Sequence, residues 1–307
     1  MLSLLLLKKI ASLFIVLFVG ALIVRLKLLK AEDSKTLSVF VAYVLNPCVI
    51  ITSLQRDRTA ELLKSLAFTT AVAFAVMLLF LGLTALIRKP LKLTKVERAA
   101  LEYPNVGNLI IPLVTSVLGM EYVVYTLGYS IIEHCFFWTH LTMRFSGEKK
   151  LKLKKLLLNP NIISIAIGLV LFLLNIRLPS VMADAVSSLG DMVGPVAMLV
   201  TGMLIGGMDL KKTFTSPRVW LTAALRLTVF PLIVLVLMKI TGIMNILPNA
   251  AAMLFIVLIS AAAPPANLVT SIAQLYGEDA AHASAITVVS VLLCIVTMPA
   301  LVYLFQL

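Results

Sequence analysis

Apolar runs of roughly 18 or more residues recur from one end of this chain to the other, and few folds accommodate that repetition. A run of this length crosses a bilayer as a helix. Inside lipid every backbone N–H and C=O must be satisfied by the protein itself, so a chain with many such runs becomes a bundle of helices. Of the 307 residues, 61% are hydrophobic, whereas a soluble domain is about half apolar. The sequence reads as an all-α polytopic membrane protein without a soluble domain. Ten spans are expected, at about 8–26, 34–54, 61–87, 97–118, 122–145, 160–176, 180–208, 217–240, 248–276 and 279–305, with ends good to a few residues. At the start, Lys8 and Lys9 follow a run of leucines instead of preceding it. The run 10–24 then ends in Arg25, Lys27 and Lys30 without a small-residue cleavage site, so it is expected to stay as the first span.

One span reads badly. The stretch LEYPNVGNLIIPLVTSVLG, 101–119, carries Pro104, Asn105, Gly107, Asn108 and Pro112. Proline and glycine weaken a helix, and an unpartnered amide is costly in an apolar medium. The ninth span is broken in the same way by Pro264 and Pro265, with Asn267 close behind.

The net charge is +12. The basic residues sit in short loops between apolar runs, which points to membrane orientation and not to nucleic acid. Loops on one side hold 18 Lys and Arg; the N-terminus and the loops on the other side hold 7; Arg226 lies within a span. The first set is therefore expected in the cytoplasm, with both termini extracytoplasmic. The stretch SGEKKLKLKK, 146–155, is the centre of the cytoplasmic face. It reads as a topology anchor, or as a contact for anionic lipid.

That loop, 146–159, divides the chain into halves of five spans, 1–145 and 160–307. An odd number of spans makes the second half enter the membrane the opposite way round. The breaks fall at corresponding places. Asn46-Pro47 in the second span answers Gly194-Pro195 in the seventh, and the fourth and ninth spans are the most interrupted. Leu-Val-Thr-Ser occurs in both, at 113–116 and 268–271. Inverted repeats with one broken helix in each are the architecture of many secondary transporters, where helix ends meet substrate near the midplane.

The second-span VLNPCVIITSLQ, the fourth-span YPNVGNLIIP, the fifth-span FFWTH and the ninth-span APPANLVTSIAQLYG occur in this order around a basic centre. Together they resemble the auxin efflux carrier family, which includes plant auxin exporters and microbial carriers for malonate and related carboxylates. The resemblance implies a fold of the sodium/proton-antiporter and bile-acid-symporter type, a scaffold beside a core in which the fourth and ninth helices cross, and admits a homodimer. It also implies that Pro104-Asn105 contributes to a substrate site. The ninth span departs from the pattern. It has Pro264-Pro265 where proline-asparagine is expected, so its asparagine is displaced to Asn267 or absent. The long cytoplasmic domain of many plant members is also missing. Both departures weigh against auxin itself as the substrate.

The candidate substrate residues are accordingly Asn105, Asn108, Pro104, Asn46, Pro264, Pro265 and Asn267. Asn105 and Asn108 are three apart and share a face if the helix resumes there. Each asparagine either meets substrate or caps a helix end. Ionisable residues within spans are functional candidates: Glu102, Asp191, Glu133 and His134 are candidates for proton or ion coupling. Adjacent helical positions diverge by about 100°, so Glu133 and His134 are expected on different faces. Arg226 either balances an anionic substrate or pairs with Glu133. His140 reads as interfacial. The three cysteines, Cys48, Cys135 and Cys294, lie in apolar runs and read as buried thiols.

The leading expectation is an efflux carrier of small organic anions that works by alternating access. The alternatives are a channel or sensor, or an intramembrane enzyme. A channel would need a continuous polar stripe. No metal-ligand cluster, Ser/His pair or nucleotide-binding motif is present, so neither cofactor, metal nor enzymatic activity is expected.

Overall fold

The structure is a computed structural model that describes residues 2–57, 59–147, 154 and 157–307. Most of the basic loop 146–155 therefore lies outside the described residues. Everything described is helical or loop apart from one isolated backbone bridge, Pro104 with Pro265. In chain order the helices are α1 (Leu2–Arg25), α2 (Ala31–Ser53), α3 (Ala60–Ile87), α4 (Lys95–Glu102), α5 (Ile111–Val117), α6 (Met120–Phe136), α7 (Thr142–Ser146) and α8 (Pro160–Leu173). They continue with α9 (Ser180–Gly206), α10 (Leu210–Thr215), α11 (Pro217–Ile240), α12 (Ala250–Ala261), α13 (Asn267–Leu275) and α14 (Ala280–Gln306). Helices α2, α3, α9, α11 and α14 are long and apolar enough to cross a membrane, while α8 and α12 are apolar but shorter.

Several prolines bend helices without ending them. Pro47, Pro112 and Pro231 each fall in the first turn of an α-helical stretch. Immediately before them run the π-helical stretches Val41–Leu45, Val106–Ile110 and Leu225–Val229. A proline has no N–H to offer and its ring collides with the carbonyl four residues back. A wider i→i+5 turn upstream moves that carbonyl aside. So Asn46-Pro47 marks a wide turn in a continuous helix, not an unwound segment.

The helices assemble into two bodies. In the first, α1 lies along α9, and α2 packs on α8 and α9. The α1/α9 contact is backbone on backbone. A Cβ placed on Gly202 would lie 1.9 Å from the Leu17 carbonyl oxygen, and one on Gly20 would lie 2.4 Å from that of Leu199. In the second body α3 packs on α6, α12 packs on α3 and α6, and α14 packs on α11 and α13. Each body draws helices from both sides of the central basic loop. The seam between them is closed by α1 against α5 and α14, and by α9 against the Val106–Ile110 turn.

One helix start in the second body is held by charge. Thr94 caps α4, accepting from the Glu97 N–H at 3.2 Å, while the Glu97 carboxylate accepts from the Thr94 N–H at 2.8 Å. Glu97 also accepts from the Arg218 guanidinium on α11 and faces His282 Nε2 on α14 at 3.1 Å. Three helices are thereby tied at one end of the second body.

Candidate functional site

The two interrupted spans cross. Helix α4 ends at Glu102 and α12 at Ala261, and each chain then runs extended past the other. The Asn105 N–H donates to the Pro264 carbonyl at 2.8 Å, and the Ala266 N–H donates to the Tyr103 carbonyl at 2.9 Å. This explains why the sequence tolerates prolines here. An extended segment needs only alternate backbone partners, and Pro104 and Pro265 occupy the positions whose missing N–H is not called upon. After the crossing the chains turn helical again, at Val106 and at Asn267. Two helix N-termini, which carry partial positive charge, therefore start at the crossing.

Pro104 pairs with Pro265, so Asn105 stands opposite Pro264 and Ala266 opposite Tyr103. Asn267, the next residue after Ala266, borders the same cavity as Asn105.

Two C-terminal helix ends also meet at the crossing, and they require positive charge. Arg226 supplies it from the π-helical stretch Leu225–Val229. Its Nε donates to the Ala263 carbonyl and its Nη1 to the Leu101 carbonyl, both at 2.9 Å. The guanidinium carbon lies 5.1 Å from the centre of the Phe80 ring, and the residue is 0% exposed. Of the two readings of Arg226, the ion pair with Glu133 is not formed among the described residues: Arg226 spends these donors on backbone carbonyls. Sequence reasoning missed this partner because a carbonyl at a helix end carries no residue signature.

A second brace runs away from the crossing. Arg144 grips Glu102 with both guanidinium nitrogens, at 2.5 and 3.0 Å. It also donates to His140 Nε2 at 3.0 Å, which leaves the His140 Nδ1–H to donate to the Tyr103 hydroxyl at 2.8 Å. Tyr103 in turn donates to the Phe136 carbonyl at 3.2 Å. The chain Glu102–Arg144–His140–Tyr103 thus holds the residue next to Pro104. His140 is part of this brace. Glu102 belongs to it too and does not line the cavity. Asp191 is exposed at the end of the Ser180–Asp191 stretch and also lies outside the cavity.

Between the two bodies, against the crossing, lies a cavity of about 60 Å³. The first body contributes Ala42, Tyr43, Asn46, Asn159 and Asn161. The second contributes Asn105, Gly107, Ala266 and Asn267 from the crossing, and Glu133, His134, Phe137 and Trp138 from the fifth expected span. Glu133 and His134 both border it, contrary to the expectation from their helical spacing, because the cavity wraps around α6 where the helix widens into the π-helical Phe137–Leu141. A Cβ on Gly107 would lie 3.0 Å from the Asn46 amide nitrogen, so glycine lets that amide approach the broken helix. Asn108 lies in the same turn, and its side chain is outside the described part of the structure. Of the thiols, Cys294 is buried and Cys48 and Cys135 are half-buried.

The polar groups around this cavity are incompletely satisfied from within the described residues. The Asn267 amide has a partner for neither its nitrogen nor its oxygen, and Asn161 Oδ1, Trp138 Nε1 and Glu133 Oε2 also have none. Buried polar groups are nearly always hydrogen-bonded, so a cluster of exceptions around one cavity marks where a ligand would be held. Asn159 and Asn161 escaped the sequence reading. They sit at the start of α8, where Asn159 caps the helix by accepting from the Asn161 N–H, and Asn161 donates to the Ala42 carbonyl at 2.9 Å. A capping asparagine looks the same in sequence whether or not a cavity lies beside it.

Comparison with known sequences agrees with this geometry. Residues 5–154 and residues 144–302 each match the family model described as Membrane transport protein. No curated protein matches the chain. With the two matches together running almost from end to end, the chain belongs to this family of membrane transport proteins, the auxin efflux carriers among them.

Proposed function

We propose that this protein is a secondary transporter of small organic anions, carboxylates above all, that exports them by alternating access across the cell membrane. The reading rests on one observation: two broken helices cross beside a cavity of unsatisfied amides, with two helix N-termini starting at the crossing. Helix N-termini favour negative charge. Amides offer donors to a carboxylate without a fixed cation that would hold it too tightly. In this reading the two bodies part to admit the anion on one side and to release it on the other. The ten-span inverted repeat, with halves 1–145 and 160–307, supplies two equivalent ways of parting, one toward each side of the membrane.

The test is uptake of labelled malonate and labelled indole-3-acetate into proteoliposomes containing the purified protein, with empty liposomes as the baseline. Saturable, protein-dependent flux of at least one is the expected result. Absence of flux and of binding for every carboxylate tried would overturn the reading.

The orientation follows from the basic bias, with the loop 146–159 cytoplasmic and both termini extracytoplasmic. A cysteine introduced at Ser3 should react with an impermeant reagent added to intact cells, and one at Ser146 should react only after lysis. The opposite pattern would invert the topology.

Asn105 carries the most specific prediction for binding. Its N–H is committed to the crossing, while its side chain borders the cavity. Loss of a hydrogen bond to a charged group costs about 1.5–3 kcal/mol, so Asn105→Ala should weaken malonate binding by roughly ten- to a hundredfold. The crossing is made by the backbone and should survive. Affinity unchanged in a folded Asn105→Ala protein would remove the site from the crossing.

A further inference from the structure

Among the described residues, Glu133 is the only carboxylate bordering the cavity. It is 6% exposed, and its Oε2 has no partner among the described residues. Behind it stand two other buried groups in the same condition. Tyr129, one turn earlier on α6, has an unpartnered hydroxyl, and Arg226, across on the π-helical stretch of α11, has an unpartnered Nη2. Each acts electrostatically on the others. The remaining titratable groups that face Glu133 or share its cavity are His134 on its own helix, Tyr103 at the crossing and Tyr43 on α2. His134 has its Nδ1–H engaged by the Ser130 carbonyl at 2.8 Å.

The charges do not balance when an anion enters. Arg226 is one cation already bonded to two helix C-termini, each equivalent to roughly half a negative charge. Little of its charge remains for Glu133 and none for a second anion. A carboxylate substrate in the cavity would share a dry space with an ionised Glu133. Two carboxylates in one such site do not both stay ionised; they share a proton.

We propose that Glu133 is the coupling site of the transporter and that the coupling ion is a proton. Each carboxylate that binds brings one proton onto Glu133, and the two travel together. The Glu133 carboxylate takes the proton from water on the side to which the cavity is open, forming one O–H bond. The same proton returns to water on the other side when the anion leaves. The transported unit is the anion plus one proton, so its movement is coupled to the pH gradient. This rests on the organic-anion reading of the same cavity.

The test is calorimetric titration of the purified full-length protein with malonate, in buffers of different ionisation enthalpy, from about pH 5 to pH 9, a range that brackets the usual operating values of a general acid or base. The wild type should take up about one proton per malonate within that range, and there its affinity should fall about tenfold per pH unit as pH rises. Glu133→Gln presents the shape of the protonated acid. It should bind malonate with no proton uptake and a flat pH profile, and in proteoliposomes it should exchange malonate without accumulating it against a pH gradient. His134→Gln alters the cavity lining and is free to change affinity, but each malonate it binds should still bring about one proton. Malonate binding without proton uptake at any pH would overturn the inference alone, and so would loss of the uptake in His134→Gln with retention in Glu133→Gln. Should Glu133→Gln fail to fold, the wild-type stoichiometry and the His134→Gln result still decide. If no carboxylate binds any form, the organic-anion reading fails and this inference with it.

Discussion

Arg226→Met should leave a protein that is extracted poorly, melts at a much lower temperature and transports nothing. The substitution keeps much of the side chain's length and apolar contact with Phe80 while removing its donors. The Leu101 and Ala263 carbonyls, each now accepting from the guanidinium at 2.9 Å, would be left unpaired in a site that is 0% exposed. Both lie at the ends of helices pointing their negative poles at the same place. Removing one partner from a buried charge interaction costs about 3–5 kcal/mol, a large part of the total stability of an ordinary domain. Arg226→Lys restores the charge without the planar fork that reaches two carbonyls at once, so it should recover part of the stability and less of the transport. The measurement is thermal unfolding of the detergent-solubilised protein alongside malonate flux. An Arg226→Met protein that melts like the wild type would mean that the crossing does not depend on this cation.

The prediction turns on a residue whose importance the sequence shows only by its cost. An arginine inside a span announces that something holds it, and the natural guess is an acid such as Glu133. The actual partners are two carbonyls from helices separated from it by more than a hundred residues on one side. By contrast, the breaks themselves were plain. Pro104, Gly107, Pro264 and Pro265 cannot all sit in undisturbed helices, and the helices do end at Glu102 and Ala261. Asn267, one residue beyond the double proline, stood out in the sequence too, and it borders the cavity. What periodicity could not decide was which polar residues share a space. Asp191 and Glu102 look as exceptional in sequence as Glu133, yet one is exposed and another is gripped by Arg144. Only the packing of one body against the other brings Glu133 and His134 to the same cavity as Asn46 and Asn161.

The division into bodies has a physical basis in side-chain size. Within lipid there is little hydrophobic gain from bringing helices together, so tight contact depends on small residues that let backbones approach. The first body has such a contact between α1 and α9, where Gly20, Gly202 and Gly206 meet the facing backbone. The second is joined by buried charge: the crossing with Arg226, the Glu102–Arg144 brace and the Glu97 cluster. The cavity lies in the seam between the two bodies.

Gly202→Val tests the rigid first body and should have the largest effect of any single substitution named here. A Cβ on Gly202 would meet the Leu17 carbonyl oxygen at 1.9 Å and the Ala21 nitrogen at 2.9 Å. These are backbone atoms in the middle of a helix, and they cannot swing aside as a side-chain tip can. The neighbouring contacts add to the constraint. Gly20 is as close to Leu199, and a Cβ on Gly206 would lie 2.6 Å from the Ala21 carbonyl oxygen. The helices must move apart along their length, and the packing lost elsewhere in the contact adds to the local clash. Overpacking costs typically 1–3 kcal/mol when side chains can rearrange; here it should reach about 4 kcal/mol or more, the range in which single substitutions unfold proteins. Gly82 provides the control, because it sits in α3, is exposed and has nothing within 4 Å of an added Cβ. Gly82→Ala should leave the protein unchanged or stabilise it by roughly 0.5–1 kcal/mol, the helical preference of alanine over glycine. Size-exclusion profiles and melting temperatures of detergent extracts separate the two. A monodisperse Gly202→Val protein with the melting temperature of the wild type would show that α1 and α9 are not held backbone to backbone, and the rigid first body would go with that contact.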